Sequence, residues 1–266
     1  LEQRCTDLGV KFKFNTLVTQ ILVKNNQTTG VRTSAGIDIK SDLVVANSDA
    51  EYIYNKLLPK NVSGARTERR KLKLATKSLS GFSLLLGLDN SKGEAVSIDH
   101  HNVYFPNNYD DEFDDIFTKQ IPVTDPTIYI CAPKDSQMTK GENKEAWFVL
   151  VNAPRHQVDG GWDWQQGGAE YGKKIIKKLD DLGLNVTPRL DFMKYRTPAD
   201  LENYAMAPGG SIYGSSSNSA VSAFLRTKNR SKIKGLFCVG GSSHPGGGLP
   251  LVGISAEIVA NAIGKA

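Results

Sequence analysis

Apolar and polar positions change period several times along this chain. Residues 10–14, Val10-Lys11-Phe12-Lys13-Phe14, alternate strictly, which predicts a strand. Residues 17–23 and 31–33 resume the alternation on either side of the polar stretch 25–30, which predicts a hairpin. Residues 34–36 turn the chain again into 37–40. Residues 42–47 are instead almost continuously apolar, the pattern of a short strand buried in a parallel sheet. Helical patterns follow at 49–58, opened by Ser48 or Asp49 and stopped by Pro59, and at 68–77. Strand patterns occupy 80–88, 102–105, 127–132, 146–152 and 190–196. Between the last two, Tyr171, Ile175, Ile176, Leu179 and Leu182 fall on one helical face, closed by Gly183. A Gly/Ser/Asn-rich loop covers 211–219. A second short buried strand, 236–239, leads through glycines to a helix at 254–263 stopped by Gly264. Residues 1–8 read as a helix end before Gly9.

Two short buried strands at opposite ends of the chain imply one shared sheet, with the region between them forming another. The expected organisation is residues 1–48 as part of one domain, 49–196 as an inserted domain, and 197–266 as the return to the first.

Composition narrows the class. The chain has 266 residues, 39% hydrophobic and 23% charged, which excludes disorder and a collagen-like repeat. No run approaches the roughly 20 apolar residues of a membrane-spanning helix. The net charge is only +5. Basic residues cluster at 66–77, 173–178 and 226–234, but the acidic run 110–115 interrupts any continuous stripe, so nucleic acid is not expected as a partner. Three distant cysteines without a C-x-x-C pair fit free thiols in a reducing compartment. The chain begins at Leu1, mid-element in character, and reads as a piece of something longer.

The most specific stretch is Val239-Gly240-Gly241-Ser242-Ser243-His244-Pro245-Gly246-Gly247-Gly248-Leu249-Pro250-Leu251-Val252. A buried strand enters a glycine loop and leaves into a helix. Glycines allow close backbone approach to a ligand, and Pro250 suits a first helical turn. The unpaired N–H groups of that turn favour anionic oxygens.

This segment resembles the end of the carotenoid desaturases, the phytoene-dehydrogenase-like FAD oxidoreductases, with their V-G-x-x-x-H-P-G-x-G-[VIL]-P form. Arg196-Thr197-Pro198-Ala199-Asp200-Leu201 and Gly209-Gly210-Ser211-Ile212-Tyr213-Gly214 resemble two further segments of that family. His100-His101-Asn102-Val103-Tyr104-Phe105, residues 109–117, residues 147–154 and the HPGGGLPL loop lean towards its hydroxycarotenoid 3,4-desaturase branch. Asn15-Thr16-Leu17-Val18-Thr19-Gln20-Ile21 is similar to the family's N-x-x-V-x-x-I strand.

The resemblance implies a mixed α/β fold: part of a split FAD-binding Rossmann-like domain plus an inserted substrate domain with a mixed β-sheet and helices. It implies FAD as cofactor, held by Val18, Gly240, Gly241, Gly247, Gly248, Leu249, Pro250, Leu251 and Val252. It implies hydride transfer from a polyene C–C bond to flavin N5, and an apolar carotenoid or isoprenoid substrate. Other readings stay open: a saturase or oxygenase on another lipid, or a non-catalytic lipid-binding half domain. The family's early G-x-G-x-x-G fingerprint is absent, so this chain alone is expected to be inactive and to bind FAD weakly or not at all. No catalytic residue is assigned; His244 is expected to hold the loop, and Glu257 to sit on the closing helix. His100 and His101 lack further ligands at useful spacing, so no metal is expected. The basic helix at 68–77 is the expected contact with a membrane surface, which would place the protein in the cytoplasm, peripheral at the inner face.

Overall fold

The computed structural model describes residues 1–135, 137–139, 141–156, 160–216 and 226–264. The end of the Gly/Ser/Asn-rich loop at 217–219 lies outside the described residues.

After helix α1 (Glu2–Asp7), residues 10–14 do not form the expected strand. Alternation alone is not enough without a partner strand: Phe12 and Phe14 stack on each other, with ring centroids 5.7 Å apart, and stay exposed. Strands β1 (Val18–Lys24), β2 (Gln27–Thr33) and β3 (Asp38–Lys40) make an antiparallel meander. Its first turn is tighter than the polar stretch suggests, because Asn25 and Asn26 both take positive φ, at 51° and 58°. Asparagine tolerates that region, and two such residues close a hairpin matched to strand twist.

Strand β4 (Val44–Ala46) then pairs in parallel with β10 (Leu236–Cys238), Val44 opposite Leu236 and Ala46 opposite Cys238. Around this pair lies one core, containing Ile21, Ile53, Tyr54, Leu72, Ile233 and Leu236. Helix α2 (Ala50–Tyr52) starts on Asp49, whose side chain accepts from the Glu51 N–H at 2.8 Å, and runs on as a π-helical turn (Ile53–Leu57). Helix α3 (Arg66–Leu74) follows, with Leu72 buried. Residues 50–72, placed by the sequence pattern in the inserted domain, thus supply side chains to the core around β4 and β10.

Arg69 on α3 is not a solvated cation. Its Nε donates to Tyr54 O at 2.7 Å, and its Nη atoms donate to the carbonyls of Leu58, Pro59 and Lys60. One guanidinium fork gathers the carbonyls at and beyond the end of the π-helical turn.

A five-stranded sheet forms the second core. It is built from β5 (Ser80–Asp89), β6 (His101–Tyr104), β7 (Ile128–Cys131), β8 (Lys144–Ala153) and β9 (Leu190–Arg196), in the order β6-β7-β8-β5-β9. A mixed sheet was expected here, but all four pairings are antiparallel. The crossover from β8 to β9 through helix α5 (Trp164–Asp181) places them on opposite sides of β5, so they never pair with each other. Phe82, Leu84, Leu86 and Leu88 of β5 face α5, where Phe82 meets Trp164 and Tyr171 at ring distances of 5.5 and 5.1 Å. The acidic run 110–115 folds as helix α4 (Tyr109–Phe113) and the start of a π-helical turn (Asp114–Lys119). Glu112 is fully buried and accepts from Thr127 N–H and Asn152 Nδ2, each at 2.7 Å. Helix α6 (Pro198–Ala205) opens with a capping box between Thr197 and Asp200, and α7 (Leu249–Ile263) closes the described chain.

Candidate cofactor and substrate site

Strand β10 ends in the glycine loop, and the loop is shaped by what a side chain there would strike. Gly240 has φ of 104°, and a Cβ on it would stand 2.2 Å from Asn47 Oδ1. A Cβ on Gly247 would stand 2.1 Å from Cδ1 of Tyr213. Gly241 packs on Gly247, the Cβ position of one lying 3.5 Å from Cα of the other. Gly248 has φ of 96° and open space beyond it.

Three polar side chains hold this backbone from beneath. Asn229 Nδ2 lies within donating distance of Cys238 O (3.1 Å), His244 O (2.8 Å) and Ser255 Oγ (2.9 Å). Ser255 Oγ accepts from Gly240 N–H at 3.2 Å. Arg226, almost fully buried, donates to Ser215 O (2.8 Å), Tyr213 O (2.6 Å) and Gly241 O (2.8 Å). Burial pulls the Arg226 pKa down, with Asp49 opposing, and the group stays charged because arginine starts so high. Asp49 is itself pushed up by burial, against the N–H groups it accepts from. Ser242 Oγ accepts from Ala50 N–H at 2.9 Å, joining the loop to the start of α2.

The same loop reaches the five-stranded sheet through residues 210–216. Ser80 Oγ donates to Gly210 O at 2.6 Å, Ser78 N–H to Gly214 O at 2.9 Å, and Tyr213 N–H to Ser78 Oγ at 3.1 Å. Tyr213 therefore touches both Ser78, two residues ahead of β5, and Gly247.

Helix α7 begins at the mouth of the loop. No side chain among the described residues caps it, and Pro250 has no N–H. The N–H groups of Leu249 and Leu251 in its first turn face no partner of this kind, and Leu249 is 90% exposed. The loop thus offers side-chain-free backbone, a helix N-terminus and apolar neighbours in one place.

The structure brings Gly240, Gly241, Gly247 and Gly248 together, with Leu249, Pro250, Leu251 and Val252 as the adjoining first turn of α7. Val18 stands apart from them at the start of β1, opposite Thr33. The His244 imidazole is exposed, and the residue acts through its backbone, donating to Thr227 O and accepting from Asn229. Glu257 is exposed on α7. Arg226 and Asn229 were missed as site residues: the first lies in a basic cluster that reads as solvated, and nothing local marks the second. Their signal is position, two large polar residues shortly before a strand that runs into glycines.

The face of the sheet away from α5 is largely uncovered. Leu85 (47% exposed), Val103 (50%) and Phe192 (52%) project from it, beside the partly buried Tyr129, Phe148 and Leu150. No helix among the described residues is long and apolar enough to cross a membrane.

No family model matches the chain. It is 36% identical over 97% of its length to the zeta-carotene-forming phytoene desaturase of Myxococcus xanthus. It is 34% identical over 96% to the 1-hydroxycarotenoid 3,4-desaturase of Flavobacterium sp., and 30% identical over 96% to the hydroxyneurosporene desaturase of Rubrivivax gelatinosus. The chain spans about half the length of these curated relatives: 49%, 51% and 47% respectively. An oxidoreductase structure from Methanosarcina mazei shares the fold, with a TM-score of 0.60 at 12% identity, covering 97% of this chain and 51% of the other.

Proposed function

Because this chain belongs among the carotenoid and phytoene desaturases, we propose that it contributes the substrate-bearing sheet and one wall of the cofactor site to an FAD-dependent carotenoid desaturase. The observation that carries the reading is the link through Tyr213, which joins the glycine loop to the segment leading into β5 at Ser78. A polyene laid on the uncovered sheet face is thereby connected to a backbone cradle that suits a flat, anionic cofactor.

The residues fit such a group. Gly248, with open space beyond it, leaves room for a ring system to lie on the backbone, and the open N-terminus of α7 suits its electron-rich edge. Leu249, Pro250, Leu251 and Val252 would exclude water from that edge, and the backbone at Val18 would meet a more distant part of the same molecule. When bound, FAD supplies the hydride-accepting chemistry. The chain's own work is to hold the loop rigid through Arg226 and Asn229, and to orient an apolar substrate on Leu85, Phe148 and Leu150. A saturated C–C bond of the substrate becomes C=C by loss of one hydride and one proton from adjacent carbons.

The test is expression of the complete reading frame in carotenoid-producing cells, with the pigments identified. A gain of conjugated double bonds is the expected result, abolished by Leu85→Glu or Phe148→Glu. Unchanged pigments with a stably folded, flavin-loaded protein would overturn the reading. This chain alone is expected to bind FAD weakly, so stoichiometric flavin absorbance after purification would contradict its role as one wall of the site. Contact with a membrane surface, at the inner face, belongs to the same proposal. It is supported by Leu74, 85% exposed beside the cations of α3. Flotation with anionic liposomes, lost in a Lys73→Glu and Leu74→Glu double variant, is the check.

A further inference from the structure

We infer that His100, His101 and Cys131 form a binding site for a soft or borderline transition-metal ion of the zinc class. One ligand atom from each lies within 4.8 Å of the others. The residues are far apart in sequence, and the β6–β7 register unites them: His101 is the direct cross-strand partner of Cys131. Strict strand alternation would send His100 to the opposite face from His101. The chain bends at His100, just before β6, so the two imidazole rings instead lie 4.4 Å apart. The bend is held by Ala132 N–H donating to His100 O at 2.8 Å.

The donor set has a definite preference. One thiolate and two imidazoles match zinc-class ions rather than magnesium or calcium, which require oxygen. A tetrahedron with bonds of 2.0–2.3 Å has an edge of roughly 3.3–3.8 Å, so closing the site needs about 1 Å of side-chain movement. Both histidines are exposed and Cys131 is partly so, which leaves their side chains room for that movement. Three protein ligands leave a fourth position open to solvent.

A supporting contact is also present. His101 Nδ1 lies 2.8 Å from the Tyr129 hydroxyl, and the two rings stack. When His101 ligates through Nε2, its Nδ1 carries the proton and donates to Tyr129, the usual way in which a ligating imidazole is oriented. The site lies at the edge-strand corner of the uncovered sheet face and does not depend on the desaturase reading.

The test is titration of the reduced chain with Co2+, followed by displacement with Zn2+. One equivalent is expected to give a thiolate-to-cobalt charge-transfer band that Zn2+ abolishes. Cys131→Ser should remove the band, Cys5→Ser should leave it, and His100→Gln or His101→Gln should each weaken affinity at least tenfold. Tyr129→Phe should weaken it about tenfold through loss of orientation. Zn2+ should slow alkylation of Cys131 at least tenfold and leave Cys5 unchanged. A band absent at one equivalent, retained in Cys131→Ser or lost in Cys5→Ser, or affinities that differ less than tenfold between the native chain and the histidine variants, would overturn the inference.

Discussion

The Tyr213 ring occupies the space that a side chain at Gly247 would need, with Cδ1 2.1 Å from the Cβ position. Gly247→Ala is therefore expected to destabilise the chain by about 1–3 kcal/mol, the usual range for overpacking. Thermal unfolding checks this. Adding Tyr213→Ala should recover most of the loss, because the clash is between these two residues and a double-variant cycle isolates it.

Arg226 holds three carbonyls, two from the segment Tyr213–Ser215 and one from the glycine loop. Arg226→Met should cost about 3 kcal/mol, since charged hydrogen bonds are lost and buried carbonyls are stranded. Arg226→Lys should restore only part of it, because one ammonium cannot span what a planar fork spans. Denaturant unfolding of both variants measures the difference.

Lys144 lies between Asp89, at 2.7 Å, and Asp191, tying the start of β8 to β5 and β9. Its ammonium, with Ser91 at Asp89 and Lys92 at Asp191, holds both carboxyls below their usual range. Such lowered values stabilise the folded state above the ordinary carboxylate pKa, and that stabilisation fades as pH falls through the lowered ones. Lys144→Met should lower the melting temperature at neutral pH, with the gap to the native chain narrowing below about pH 4.

Cys238 is fully buried beside Tyr54, and burial pushes its thiol up to about 12. The folded chain thus keeps a proton that the unfolded chain releases near pH 8.5. Stability should fall as pH rises from there towards 12, and Cys238→Ala should flatten that slope. At pH 8 a thiol reagent should label Cys5 and Cys131, both partly exposed, and reach Cys238 only after unfolding.

Much of this was legible where a local pattern had one physical meaning. Continuous apolarity marked β4 and β10, and glycines around His244 marked the cradle. Alternation failed at Phe12 and Phe14 because period describes what a strand would bury, not whether a partner strand exists. The burial of Glu112 within the acidic run had no local signal: Thr127 and Asn152 reach it from later in the chain. Cys131 became a companion of His101 only through register, and register is set by pairing over long separations. The roles of Arg226 and Asn229 were hidden for a related reason, since the carbonyls they hold are gathered only when the loops on either side of them fold back.

The parallel pairing of β4 with β10 also governs how this chain is made. The whole five-stranded sheet is translated between those two strands, so β4 leaves the ribosome long before its partner exists. At 5–20 residues per second the delay is on the order of ten to forty seconds. In that interval the sheet can complete itself, while Val44, Ala46, Ile53 and Leu72 wait with their apolar faces uncovered. A nascent chain halted after residue 196 should therefore carry a protected sheet and a protease-sensitive segment ahead of it, and should be a chaperone client until Cys238 emerges.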